Sequence, residues 1–309
     1  MTMRIAVTGA SGYIGLSLLR CLASRGHQVL AFGRREMVTN DPAIRWYVKS
    51  DGRPNGADLQ SCDAIVHLAG RAHTRVASQD GVDLFDKANH EFACATATAA
   101  REAGVSRFVQ VSTLGVHGSW SAHPIDETSA LIGDTPYARS KIAAEQDLAV
   151  LLNDSATALT IVRPPMVYGA DCPGNFPRLV RLVKSGIPLP FGSVTGIRSF
   201  IHLDNLVSML AYCAERPHVD GVFVAGDGSD FELPDLIRAI AAGVHAPLRL
   251  VAFPPQVLRW LAKIIGRHRE IDSLTRPMPV DWSKIRAAGW TPALDAASAL
   301  AATLESYNH

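Results

Sequence analysis

Cysteine is scarce in this chain: five residues in 309, at positions 21, 62, 94, 172 and 213, widely spaced and without a CxxC pair. That pattern argues against a disulfide framework and a thiolate zinc site and reads as the reduced thiols of a cytoplasmic protein. Eleven histidines occur, but none falls in an HExxH or comparable ligand spacing, so no metal is expected. Neither sign of charge prevails, with 30 Lys and Arg against 29 Asp and Glu, which removes bulk attraction for nucleic acid or an anionic membrane. No apolar run approaches the ~20 residues of a spanning helix. The strand pattern that starts at Arg4 leaves no room for a signal peptide, in keeping with a cytoplasmic location. What is present, 48% apolar and 19% charged residues, suffices for a large buried core in one or two domains.

Glycine is placed rather than scattered. Gly9, Gly12 and Gly15 follow the apolar run Ile5-Ala6-Val7 and open the apolar-periodic segment Ile14 to Leu22, which predicts strand, tight turn and helix. In such a unit Gly9 permits the turn, Gly12 lets the backbone approach a pyrophosphate, and Gly15 lets the helix pack on the strand. The anion then rests on free N–H groups at the positive helix end. A bare structural turn uses the same glycines, so the motif alone does not decide.

Roughly twenty residues further on, a dinucleotide fold carries an acid that holds the ribose hydroxyls of NAD. Here the strand Gln28 to Phe32 ends in Gly33-Arg34-Arg35. Two guanidiniums accept a 2′-phosphate that a carboxylate would repel, which favours NADP(H) over NAD(H). Glu36 and Asp41 stay within reach for NAD(H), and a solvated turn is the plain alternative.

Far downstream stands Tyr137-Ala138-Arg139-Ser140-Lys141. Hydride chemistry at a hydroxyl needs a group that exchanges the oxygen's proton, and a free phenol, with a pKa of about 10, is poorly suited to it. The spacing of Ile142, Leu148 and Leu152 predicts a helix over 137–152, started by Thr135-Pro136. On it positions 137 and 141 share a face, and an ammonium beside the phenol favours the phenolate. An ordinary surface helix with a Tyr and a Lys has the same spacing.

Strands are predicted near 4–8, 28–32, 44–48, 64–67, 107–112 and 158–163 with helices between, an α/β fold with a doubly wound parallel sheet. Beyond Tyr168 proline and glycine become dense, and the alternation breaks. We expect residues 1–167, with about 198–225, to form the dinucleotide-binding domain, and 168–197 with 226–309 a smaller substrate lobe.

Taken with Val66-His67-Leu68-Ala69-Gly70, Asn89, Val111-Ser112-Thr113 before Val116-His117-Gly118, Arg163-Pro164-Pro165-Met166-Val167-Tyr168-Gly169 and Arg198-Ser199-Phe200-Ile201-His202, these motifs resemble the extended short-chain dehydrogenase/reductase family. The branch it is similar to holds nucleotide-sugar 4-epimerases and 4-ketoreductases of Rossmann fold. The resemblance covers essentially the whole length. It implies catalysis by Tyr137 and Lys141 with Thr113 orienting the reacting oxygen. It implies a cofactor site of Gly9, Ser11, Gly12, Tyr13, Ile14, Gly15, Arg34, Arg35, Asp51, Leu68, Ala69, Gly70, Asn89, Ser112, Pro164 and Val167, together with Tyr137 and Lys141. A UDP-sugar would meet Thr113, His117, Asn175, Phe191 and Arg198, with Arg71 and His73 near the sugar. The family's 4,6-dehydratases place Asp-Glu after the catalytic Thr, where this chain has Leu114-Gly115, so elimination of water is not expected.

The resemblance leaves two reactions open. One is a 4-ketoreductase serving surface-polysaccharide synthesis, favoured by Arg34-Arg35 and by similarity over Leu68 to His73 and Gly174 to Leu179. The other is a UDP-hexose 4-epimerase with retained NAD. A dinucleotide-binding sensor without turnover is a third reading, of a different class. A homodimer is implied through the helix beginning near Asn89 and the Tyr137 helix.

Overall fold

The computed structural model describes residues 1–72, 83–264, 266 and 268–308. In chain order, β1 (Arg4–Thr8) leads through the glycine turn to α1 (Tyr13–Ser24), followed by β2 (Gln28–Gly33), β3 (Ile44–Val48) and β4 (Ala64–His67). A π-helical turn, Asp86–Glu91, runs into α2 (Phe92–Glu102), then β5 (Arg107–Val111), α3 (Pro136–Leu152) and β6 (Ala158–Arg163). The remainder comprises β7 (Met166–Tyr168), α4 (Asn175–Lys184), β8 (Ile197–His202), α5 (Leu203–Glu215), β9 (Gly221–Val224), β10 (Ser229–Glu232), α6 (Leu233–Gly243), α7 (Pro255–Ile264), α8 (His268–Thr275), α9 (Ser283–Ala287) and α10 (Ala296–Glu305).

The large sheet has the order β3-β2-β1-β4-β5-β6-β9, and every pairing in it is parallel. Its order reverses beside β1, where Thr8 lies in register with Phe32 on one side and His67 on the other. Doubly wound sheets bind ligands at that crevice. Central strands read as unbroken apolar runs because both faces are covered. Ile5 and Val7 pack with Leu18, Leu19 and the buried side of α5, while Ala6, Leu30 and Ile65 pack with Ala93, Ala97 and Leu148. The small residues of α2 let it lie close to the sheet.

A second sheet, β10-β8-β7, belongs to the lobe that faces the strand ends. Here the expected boundary at 198 shifts. Residues 197–202 pair with β7 and β10, and the chain rejoins the large sheet only through α5 and β9. The alternation Arg198-Ser199-Phe200-Ile201-His202 fits a strand in either sheet, and pairing partners are not visible in one segment's pattern. The lobe core forms around Tyr168, Phe176, Leu179, Val180, Phe191, Ile237 and Leu300.

Candidate active site

A cleft of about 970 Å³ opens at the carboxyl ends of β1, β4, β5 and β6, between the large sheet and the lobe. One wall carries Gly9, Gly12, Tyr13, Ile14, Gly15, Leu68, Gly70, Ser112, Thr113, Tyr137, Lys141, Pro164 and Val167, and the other carries Asn175 and Arg198. These sequence-predicted residues therefore share one space.

The glycine cradle has the shape a pyrophosphate needs. Gly12 caps α1 with no side-chain hydrogen bond, so the first N–H groups of the helix stay free at the cleft. Gly9 has φ +65°, and a Cβ on it would stand 2.7 Å from Ala69 N. At Gly15 a Cβ would stand 2.4 Å from Gly9 O, inside the turn itself. Both clashes are with backbone, which cannot step aside. Gly15→Ala is accordingly expected to destabilise the fold by roughly 1–3 kcal/mol and to weaken dinucleotide binding at least tenfold. Urea unfolding and a cofactor titration check this; an unchanged midpoint and affinity would show that the turn tolerates a methyl.

Tyr137 enters at the start of α3. Thr135 caps that helix, its Oγ1 accepting from Ala138 N at 3.0 Å, and Pro136 occupies the first turn. The phenol is half-buried, with its ring 6.0 Å from that of Phe85. Thr113 lines the cleft with it and acts against the burial shift of the phenol. Thr113 Oγ1 accepts from Gly115 N at 3.1 Å. Lys141, one turn after Tyr137, is buried and donates from Nζ to Val111 O at 2.9 Å.

The electrostatics differ from expectation. Burial pushes the Tyr137 phenol up to about 12, with Thr113 opposing, and Lys141 is not among the groups that lower it. The ammonium is committed to the Val111 carbonyl instead. Burial takes Lys141 down to about 8, Glu145 acting in the other direction. Because the folded value lies below the 10.5 of the free group, the unfolded chain binds the extra proton between the two, so this lysine makes stability rise as pH climbs from about 8. Above pH 10, Tyr137, whose folded value exceeds its unfolded one, acts in the opposite direction. Relative to Lys141→Met, the native protein is expected to gain stability between pH 8 and 10 in denaturant melts; parallel curves would contradict the burial of that charge.

Several predicted residues do other work. Asn89 is buried, and its Oδ1 accepts from Arg71 N at 2.7 Å while Nδ2 donates to Arg71 O at 3.1 Å and Ser140 Oγ at 3.0 Å. It ties the Gly70-Arg71 loop to α3 rather than lining the cleft. His117 is buried, its Nε2 accepting from Arg163 Nη1 at 3.2 Å and its Nδ1 donating to Ala130 O at 3.1 Å. Burial and the neighbouring guanidinium hold it below the usual imidazole value, so it is a neutral structural histidine and not a sugar contact. Phe191, 5% exposed, is a core aromatic of the lobe. Position and polarity in a sequence cannot separate these interior partners from wall residues.

Arg34 and Arg35 are exposed past the end of β2 and form no ion pair among the described residues. Asp51 Oδ1 accepts from Arg53 N at 3.0 Å and Asp41 Oδ1 from Ala43 N at 2.9 Å, so both acids serve their own turns. His73 lies outside the described residues. Across α2 and α3, ligand atoms of His90, Cys94 and Asp147 approach within 4.8 Å of one another. Both ring nitrogens of His90 are already bonded, at 3.0 Å to Asp86 and 2.7 Å to Asp147.

Beside the expected Arg198 and Asn175, the lobe wall holds Arg276, which no sequence motif marks. Arg198 is largely buried, donates to Arg276 O at 3.2 Å and is lowered to about 10 by burial. Arg276 itself lines the cleft beside Trp120, its guanidinium 4.7 Å from the ring centroid and its Nε 3.2 Å from Asp272 Oδ1. Asn175 sits at the start of α4, whose cap, Gly174, offers no side-chain bond. Two guanidiniums and a free helix end make an anion site in the cleft opposite the glycine cradle. Arg276 precedes a proline in a segment with no motif, and bridges of the following residues to Arg198 and Ile125 bring it here.

This arrangement, a dinucleotide cradle facing a Thr-Tyr-Lys group and an anion-binding lobe, defines a hydride enzyme of the extended short-chain dehydrogenase/reductase class. Residues 5–226 match the NAD dependent epimerase/dehydratase family, and the chain belongs to it. It is 29% identical over 300 residues to UDP-glucose 4-epimerase of Vibrio cholerae, spanning 94% of this chain and 92% of that one. With ceramide reductase of Caulobacter vibrioides it shares 30% identity over 93% of this chain and 96% of the relative. The fold matches the solved UDP-glucuronic acid 4-epimerase from Bacillus cereus in complex with NAD, with TM-score 0.78 over 98% of each chain at 19% identity.

Proposed function

We propose that the protein exchanges a proton and a hydride at C4 of a UDP-hexose or UDP-hexosamine. The observation that carries this is the convergence of Thr113, Tyr137 and Lys141 on a cleft whose opposite wall holds Arg198, Arg276 and the N-terminus of α4. A nicotinamide dinucleotide, when bound, supplies or takes the hydride. Gly9, Gly12 and Gly15 with the free N–H groups of α1 would hold its pyrophosphate. Tyr137 gives its proton to the sugar oxygen or receives one from it, and Thr113, beside the phenol, aligns that oxygen. Lys141 keeps a positive charge beneath the site below pH 8. Arg198 and Arg276 grip the substrate diphosphate.

NAD(H) is the cofactor that the relatives favour, since the Bacillus cereus enzyme carries it; Arg34 and Arg35 are the feature of this chain that suits NADP(H). The same residues serve ketone reduction and epimerisation. The Vibrio cholerae relative supports the epimerase, whereas the exposed arginine pair supports a 4-ketoreductase feeding surface-polysaccharide synthesis. Leu114 and Gly115, beside Thr113 at the cleft, supply no acid or base, which speaks against dehydration.

Denaturing the purified protein and weighing any released dinucleotide separates the readings. Retained NAD with interconversion of UDP-glucose and UDP-galactose supports the epimerase. An empty protein that consumes NADPH only with a UDP-4-keto sugar supports the reductase. Absence of both activities would overturn the proposal.

A further inference from the structure

Helix α7 wears its apolar face outward. Leu258 and Ala262 turn toward the lobe, with Ala262 buried. Val257 is 41% exposed, Trp260 61%, Leu261 44% and Ile264 63%. These four stand at positions i, i+3, i+4 and i+7, the spacing of one continuous stripe. A surface helix of a globular protein turns such a stripe to the core, and scattered exposed hydrophobics do not fall into this register. Val251, 46% exposed, lies just before the helix.

The segment that carries the stripe is cationic, although Glu270 and Asp272 follow on α8, which packs against α7. From Leu236 to Arg269 the chain contains no Asp or Glu, yet it carries Arg238, Arg249, Arg259, Lys263, Arg267 and Arg269. The near-neutral total charge conceals this. Arg249 and Lys263 are exposed, Arg259 is half-buried, and none of the three forms an ion pair among the described residues. An apolar stripe with Lys263 at its flank and an acid-free cationic segment leading into it has the chemistry of a helix lying in a membrane interface, its side chains in the acyl boundary and its cationic groups at lipid phosphates.

We propose that α7 seats this enzyme on an anionic phospholipid surface. A second copy fits the stripe poorly. An isologous contact through α7 would bring the exposed Lys263 of both copies to the same contact, and the acid-free helix offers nothing to neutralise them. Because α7 packs on α8, whose Asp272 lines the cleft, docking would hold the cleft mouth close to the bilayer.

The full chain would be sedimented with vesicles of mixed phosphatidylglycerol and phosphatidylcholine, and with phosphatidylcholine alone. Binding is expected to the anionic vesicles, to weaken as salt is raised, and to fall at least about tenfold in Trp260→Glu/Ile264→Glu. Turnover of soluble substrate and the circular dichroism spectrum should stay as in the native protein, because both side chains are already solvated. Lys263→Glu, which touches no apolar contact, should also weaken binding to the anionic vesicles. The proposal is overturned if the native protein stays in the supernatant, or if the double variant pellets like it. It is equally overturned if light scattering finds a dimer that the double variant dissociates while no vesicle binding occurs, since the stripe would then belong to a second copy.

Discussion

Tyr137→Phe is expected to reduce kcat by about 10²–10⁴-fold, the range for losing a positioned acid–base group, while affinity for the dinucleotide stays near native. The substitution removes one oxygen and keeps the ring in its packing against Phe85. Thr113, beside the hydroxyl, keeps the hydrogen bond from Gly115 N, so no buried donor or acceptor is stranded. A large loss of turnover with an intact melting profile therefore reports on proton exchange and not on folding. The alternative of a binding protein that senses the dinucleotide makes the opposite claim: such a protein would be indifferent to the phenolic oxygen. Steady-state rates beside a cofactor fluorescence titration decide, and native turnover in the variant would remove Tyr137 from the chemistry.

That the phenol sits so high, near 12, sharpens this expectation. A tyrosine at this value holds its proton at neutral pH and is ready to donate. Acting as a base requires that value to fall, and the Lys141 ammonium makes its hydrogen bond to Val111 O rather than to the phenol. A shift of Lys141 toward substrate or cofactor would release that carbonyl bond.

How far the sequence reveals this depends on the range of each interaction. The cradle was legible because Gly9, Gly12 and Gly15 satisfy constraints inside one turn, and the strands because buried parallel strands are unbroken apolar runs. Tyr137 and Lys141 were legible as a helical pair, with Thr135-Pro136 marking the helix start. Interior partners were not. His117 and Asn89 carry the same polar side chains whether they face substrate or close a buried hydrogen bond, and only the fold shows that they close one. Arg276 escaped notice because the bridge between Arg198 and Met278 joins segments some eighty residues apart. The cationic charge of the α7 segment was present in the composition all along, diluted by an acidic surplus elsewhere.

The buried pair of Glu145 and Arg163 underlies the second large effect. Glu145 lies two turns after Tyr137 on the same face of α3, and Arg163 ends β6. Arg163 Nε stands 3.2 Å from both carboxylate oxygens and Nη2 2.5 Å from one, with the two side chains 5% and 4% exposed. Ser112, the neighbour of Thr113, donates its hydroxyl to the same carboxylate, and Arg163 donates in turn to His117. The carboxylate thus ties the strand end that carries Thr113 to the helix that carries Tyr137 and Lys141. Arg163→Met leaves a buried charge without its counterion, which costs roughly 3–5 kcal/mol. Urea melts should show that loss. Replacing both partners, as in Glu145→Leu/Arg163→Met, removes the stranded charge as well and should recover most of the stability, since well-packed apolar pairs often match buried ion pairs. Turnover should not recover with it, because Ser112 then has no carboxylate to hold it and the spacing between Thr113 and Tyr137 is no longer set. Recovery of stability and kcat together would mean that the pair serves the fold alone; recovery of stability alone would assign it to positioning Thr113 against Tyr137.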